Sequence, residues 1–354
     1  MAKKLYIPGP VDVSPDVAAK MSEPMIGHRS KEYASLHGET VGNIKKVLFT
    51  GNEVFIGATS STGWMEAAVI NCVGKKALHV VNGAFSDKWA KISAAHGKDL
   101  ERLEIPWGSA VKLEQIDDKI GSGEFDALFV THNETSTAAM TPLAGFGSLC
   151  AENNVIFCVD AVSSIGGVKV EVDELGIDVL VTGTQKCFAV APGLAMTSVS
   201  KRALENSAQM KNKGYYFDYH VYLKSNAKNN TPMTPPIPQI NSLNYQIDKI
   251  LTKEGLDNRF ARHREMAEYT RAWAKKHFGL LTEDWCSSDT VSCVKNTVGA
   301  DLADISGKLG EMGYQFSNGY GKLKGETFRI AHMGDRTMDE LKTYIKDLEE
   351  VFGL

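Results

Sequence analysis

The sequence predicts an α/β fold: a large domain around a mostly parallel sheet, followed by a smaller C-terminal domain. Two patterns predict it. From about residue 53 to 200, short continuous apolar runs alternate with amphipathic stretches, as strands covered on both faces by intervening helices would. After an irregular segment near residues 211–240, a strand, helix, strand and helix pattern follows that is long enough for a second, smaller unit.

The strand candidates are Glu53–Thr59, Ala77–Val81, Asp126–His132, Val155–Asp160, Val179–Thr184 and Leu194–Ser200. They are Val/Ile/Leu/Phe runs rather than in-out alternations. Trp64–Val73 and Ala84–His96 have helical periodicity. The stretch 211–240, rich in Tyr, Asn and Pro, reads as an ordered but irregular crossing. Beyond it come a long polar helix, Asp257–His277, a strand at Thr290–Lys295, a helix at Leu302–Met312, a strand at Thr327–His332 and a final helix at Met338–Phe352. The organisation expected is therefore an N-terminal segment (1–14), a large domain (15–240) and a small domain (241–354).

Composition narrows the function classes. The 354 residues carry a net charge of −4, with 43% hydrophobic and 23% charged residues, an ordinary globular balance. No Lys/Arg run makes a basic patch, so neither nucleic acid nor an anionic membrane is expected as a partner. The six cysteines form no C-x-x-C pair and read as reduced packing residues, and no metal is expected. The start, MAKKLYIPGPVDVSP, has no apolar stretch after its lysines, so a cytoplasmic location is expected.

In parallel sheets ligands sit beyond the carboxyl ends of the strands. Lys186 follows VLVTGTQ, and Asp160 ends the run VIFCVD. A lysine in such a place is ordinarily an exposed loop residue. A buried carboxylate, however, needs a cationic partner. An Asp holding a ring nitrogen protonated and a Lys holding the ring's aldehyde carbon would suit pyridoxal phosphate. Between residues 57 and 68, GATSSTGWMEAA runs from a strand end through a Ser/Thr/Gly turn into a helix. Backbone N–H groups there, with Ser61 and Thr62, can take a phosphate, although a plain helix cap reads the same way. No nucleotide-binding glycine fingerprint competes.

Nine motifs lie in order: PGP (8–10), GHRS (27–30), SSTGWMEA (60–67), NGAFSDKW (82–89), THNETSTA (131–138), VDAVSSIGG (159–167), TGTQK (182–186), TPMTPP (231–236) and FRI (328–330). With these, nearly the whole chain resembles the class V aminotransferases of the alanine–glyoxylate and serine–pyruvate type, which have fold type I with a seven-stranded-type sheet. The resemblance implies pyridoxal phosphate bound as a Schiff base to Lys186, with Asp160 as the pyridinium partner. It implies Phe85 stacked on the ring, Thr135 near its O3′, and Ser61, Thr62, Gly63 and Gln185 around the phosphate. Thr234 would reach the phosphate of a neighbouring subunit in a homodimer. Arg329 would clamp the substrate carboxylate, which Gly9 would let the backbone approach.

His28 and Arg29 receive no role. Trp64, Cys187 and Thr231 depart from the family's usual residues. The activity implied is amino transfer from alanine, serine or glycine to glyoxylate or pyruvate by a ping-pong mechanism. Rivals are a lyase or desulfurase of the same class using Cys286 or Cys293, an aspartate-using aminotransferase, and more distantly a non-catalytic partner-binding subunit.

Overall fold

The computed structural model describes residues 3–354. Its large domain is built on a seven-stranded sheet. Across the sheet the order is Glu53–Gly57, Ala195–Val199, Val179–Gly183, Ile156–Asp160, Ala127–Thr131, Lys76–Val81 and Asp99–Glu104. Ala195–Val199 runs antiparallel to both its neighbours, and the other pairs are parallel. Six of the seven strands are buried at nearly every position, because helices cover both faces. One face packs Lys31–Leu48 and Ile237–Lys249 around Ile44, Leu48, Ile240 and Ile247. The other packs Ser61–Cys72, Ala84–Ala95, Lys201–Gln209 and Tyr219–Asn226 around Trp64, Trp89 and Phe129.

All six predicted strands are present, and a seventh joins them. Asp99–Glu104, DLERLE, lies at the sheet edge and has no apolar run. Ion pairs from Lys76 and Lys119 to Glu101 and from Arg102 to Asp87 hold it there. Charged side chains are how exposed edges stay solvated. The segment 211–240 is less irregular than its composition predicts. Asp218 caps a helix by accepting from His220 N at 2.9 Å, and Tyr219 and Tyr222 bury its inner face.

Residue 240 falls inside the helix Ile237–Lys249, whose apolar face belongs to the large core. We therefore place the domain division at Gly255, before the long helix Leu256–His277. The small domain has a three-stranded antiparallel sheet in the order Val291–Lys295, Thr327–Ala331, Ser317–Asn318. The helices Leu256–His277, Leu302–Glu311 and Met338–Phe352 pack against it through Trp273, Leu309 and Leu348.

The N-terminal segment belongs to both domains. Lys4–Leu5 pairs in parallel with Tyr314–Gln315. Tyr6 stacks on Tyr344 with ring centroids 3.6 Å apart and donates to Glu340 O at 2.7 Å. Asp12 pairs with Arg336, and Val11 N donates to Gln185 O beside Lys186. Among the described residues no helix is long and apolar enough to cross a membrane, and no group of His, Cys, Asp and Glu is placed to hold a metal.

Candidate active site

The carboxyl ends of the parallel strands bring the chemistry together. Asp160 closes Ile156–Asp160, in register with Thr131 on one side and Val181 on the other. It is 5% exposed, and its Oδ1 accepts from Val162 N at 2.9 Å. Burial pushes its carboxyl up to about 6, although Val162 N–H and Lys186 pull the other way. Lys186 lies three residues beyond Val179–Gly183 and is 7% exposed. Burial, with repulsion from Arg329, pulls its amine down to about 8. A carboxyl and an amine each held toward neutrality at one sheet end mark a functional centre.

A cavity of about 420 Å³ opens there. Six expected residues line it: Gly9, Phe85, Thr135, Gln185, Lys186 and Arg329. Pro8 O accepts from Lys186 Nζ. Gly9 has φ +94°, and a Cβ there would come within 2.6 Å of Lys186 Cδ. Glycine is thus required both by conformation and by space.

Arg329, 8% exposed, is partly satisfied. Nη1 donates to Thr135 O at 3.2 Å, while Nε and Nη2 both donate to Asn318 O at 3.3 Å. A guanidinium has five N–H bonds. One on each terminal nitrogen remains, and those two form a fork suited to a carboxylate.

Phe85 stands in the first turn of Ala84–Ala95, which a buried carboxylate fastens. Glu134 is fully buried and accepts from Phe85 N, Ser86 N, Ser86 Oγ, Ser136 N and Ser136 Oγ at 2.7–3.0 Å. The next residue, Thr135, has its hydroxyl 2.5 Å from Ser163 Oγ.

Ser61, Thr62 and Gly63 open the helix Ser61–Cys72 on the same side. Ser61 Oγ is buried without any hydrogen-bond partner, which is costly unless a ligand supplies one. A Cβ on Gly183 would collide with Ser61 Oγ and lie 2.7 Å from Gln185 Oε1, so the two side chains converge. One on Gly63 would come within 2.6 Å of Phe217. Thr234, expected at the phosphate of a neighbouring subunit, is exposed and does not line this chain's cavity. Its segment is pinned by Arg29, which donates to Thr231 O at 2.7 Å and Pro232 O at 3.3 Å. That gives Arg29 a structural task the sequence did not disclose.

Of the departures, Trp64 is fully buried and donates to Ala195 O at 2.9 Å, so it packs between helix and sheet. Thr231 turns its hydroxyl onto Met233 O. Cys187 is buried, and burial pushes its thiol up to about 11.

The sequence profile of Aminotransferase class-V matches residues 16–319, most of the chain. The chain belongs to the class-V aminotransferase family. It is 37% identical over 339 residues to an uncharacterized aminotransferase of Methanocaldococcus jannaschii, covering 94% of this chain and 88% of that one. It is 34% identical over 346 residues to the L-aspartate–glyoxylate aminotransferase of Paracoccus denitrificans, covering 94% and 87%. Its fold matches the crystal structure of an alanine–glyoxylate aminotransferase from Nostoc sp. with a TM-score of 0.94 and 27% identity, over 99% of this chain and 96% of that one.

The fold is therefore that of the fold-type I aminotransferases, and membership of the class-V family implies pyridoxal phosphate. The residues fit that group: a buried carboxyl for a ring cation, an amine for an aldehyde, and an orphaned hydroxyl at a helix N-terminus for a phosphate. Sequence reasoning missed Tyr320, Ser317, Pro8 and Glu134 in this class-V site. Glu134 lay inside the motif THNETSTA, but nothing in that polar stretch marked its carboxylate as buried.

Proposed function

We propose that this class-V aminotransferase moves an amino group from a small amino acid (alanine, serine or glycine) to a 2-oxo acid, glyoxylate or pyruvate, in two half-reactions. The observation that carries the reading is one cavity lined by the neutral-leaning Lys186 and the free fork of Arg329, with the buried Asp160 close enough to Lys186 for their charges to interact.

Pyridoxal phosphate, when bound, supplies a carbonyl carbon for the amino group and a ring that accepts electrons. Asp160 would hold the ring's cation, offsetting its own burial. Phe85 would cover the ring face, and Thr135 would sit near the O3′ edge. Ser61, Thr62, Gly63 and Gln185 would hold the phosphate, with Thr234 supplied by a neighbouring subunit of a homodimer. Arg329 would take the substrate α-carboxylate, with Gly9 leaving the backbone close to it. Lys186, with its amine pulled down to about 8, is partly unprotonated near neutral pH. Its Nζ can therefore take a proton from the substrate Cα and return one on the carbon side, as a general base and acid tuned to its working pH. We further propose a cytoplasmic location.

A desulfurase needs an exposed, reactive thiol. All six cysteines are buried, and burial pushes the Cys286 and Cys293 thiols up, which favours transamination. The test is the visible spectrum of the protein with pyridoxal phosphate, before and after adding alanine, serine, glycine or aspartate. Conversion of the cofactor band, reversed by glyoxylate or pyruvate, is expected. Lys186→Ala should retain no borohydride-reducible chromophore and lose at least about a hundredfold in rate. A reducible chromophore in that variant would overturn the assignment of Lys186, and a wild-type band that no amino acid converts would favour a lyase.

A further inference from the structure

We infer that Tyr320 is a specificity-determining residue that limits the substrate to two- and three-carbon amino and oxo acids. The inference rests on the aminotransferase reading above and names its substrate class.

Tyr320 lies in the small domain, in the loop joining Ser317–Asn318 to Thr327–Ala331. The loop is held in shape from inside. Asn318 Oδ1 accepts from Gly319 N at 2.7 Å and Gly325 N at 2.9 Å, and Tyr320 O accepts from Leu323 N at 3.1 Å. It is also held from outside, by the large domain. Lys322 Nζ lies over the Trp107 ring, 4.3 Å from its centroid. Gly321 abuts the same indole, so a Cβ there would touch it at 3.6 Å.

The loop so fixed carries the Tyr320 ring across the cavity mouth. The ring stacks on Phe85 with centroids 5.5 Å apart and planes 28° apart, and the Arg329 guanidinium lies 5.4 Å from its centroid. Tyr320 therefore touches both the aromatic face and the carboxylate fork. A substrate gripped by Arg329, with its Cα toward Lys186, has this ring beside its side chain.

Charge points the same way as size. Lys186 and Arg329 are the cations lining the cavity, and both are committed. The remaining wall is made of Ile7, Pro8, Pro10, Ser317 and Tyr320. A distal carboxylate would meet no positive group on that wall, since Lys88, with its Nζ 5.0 Å from the Phe85 centroid, does not line the cavity, and a carboxylate buried without a partner is costly. A site of this kind separates substrates by side-chain size by roughly 10–200-fold per methylene.

The test uses the holoenzyme and its Tyr320→Ala and Tyr320→Phe variants. Calorimetric titration with unreactive acids (acetate, propionate, succinate and 3-phenylpropionate) reads the pocket without turnover. Wild type should bind acetate and propionate more tightly than the other two. In Tyr320→Ala the preference for propionate over 3-phenylpropionate should shrink by about tenfold or more. Tyr320→Phe, which keeps the ring, should retain the wild-type order. In parallel, the ratio of kcat/KM for alanine over phenylalanine should fall by a similar factor in Tyr320→Ala.

An undiminished preference for propionate over 3-phenylpropionate in Tyr320→Ala overturns the inference, as does a wild type that takes aspartate or phenylalanine ahead of alanine and serine. If no amino acid converts the wild-type band, the aminotransferase reading fails instead, and the acid titrations still decide the role of Tyr320.

Discussion

Asp160 and Lys186 sit where burial opposes the charge each normally carries, and the sign of that opposition gives a measurable pH dependence. The folded pKa of Asp160 is raised from 3.8 to about 6. Its contribution to stability is therefore fully present below pH ~4 and is lost as the pH rises through about 6. At pH 8 the cofactor-free protein carries a buried anion that Val162 N–H and Lys186 only partly offset. The shift corresponds to an upper bound of about 3 kcal/mol. Asp160→Asn can keep the Val162 N–H bond while removing the charge. Without cofactor it should be more stable than wild type at pH 8, by on the order of 1–3 kcal/mol. The advantage should vanish below pH ~4. With pyridoxal phosphate the order should reverse, because only wild type gains a partner. Thermal melts at both pH values, with and without cofactor, read this directly. A cofactor-free Asp160→Asn protein that melts below wild type at pH 8 would contradict it. Lys186 has the complementary sign: its pKa is lowered to about 8, so its contribution is lost as the pH falls through that value.

At the scale of elements, Glu134 decides where the helix Ala84–Ala95 begins. Its carboxylate takes two backbone N–H groups of the first turn and three donors from Ser86 and Ser136. This binds the loop of Thr135 to the helix of Phe85. Glu134→Ala leaves those donors buried and unpaired, and should lower the free energy of unfolding by about 2–4 kcal/mol. It should also weaken cofactor binding, since Phe85 and Thr135 move together. Denaturant unfolding and a cofactor titration measure the two effects, and wild-type cofactor affinity in a destabilised variant would separate Glu134 from the site. Neither Glu134 nor Tyr320 was legible in the sequence, because each matters through partners far along the chain: Glu134 through Phe85, and Tyr320 through Phe85 and Trp107. Lys186 and Asp160 were legible as strand-end residues, whereas Phe85 came only with the family motif NGAFSDKW. The same distinction explains the elements. Buried parallel strands show as apolar runs, whereas the edge strand Asp99–Glu104 is polar on both faces of its pattern. The helix Lys31–Leu48 sets His37 and Thr40 among its buried positions and so hides its apolar stripe.

At the scale of the whole molecule, Arg259 joins the domains. It is 1% exposed and starts in the small-domain helix Leu256–His277. From there it donates to Gly166 O at 2.7 Å and Cys187 O at 2.5 Å, and pairs with Glu254 and Asp335. Breaking a buried pair by removing one partner typically costs 3–5 kcal/mol. Arg259→Leu should destabilise by about that much. It should also release cofactor faster, because Cys187 O adjoins Lys186. Urea unfolding of the cofactor-free protein and the rate of cofactor loss test both, and retention at the wild-type rate would confine Arg259 to stability.

The docking of residues 3–14 carries a consequence for how the protein is made. Synthesis proceeds from the N-terminus, so the strip that supplies Pro8 and Gly9 to the cavity leaves the ribosome well before its moorings. The groups that moor it, Tyr314, Arg336, Glu340 and Tyr344, follow about three hundred residues later. A ribosome that stops between residues 200 and 313 releases a chain with every strand of the large sheet but an unmoored strip and an unfinished pocket.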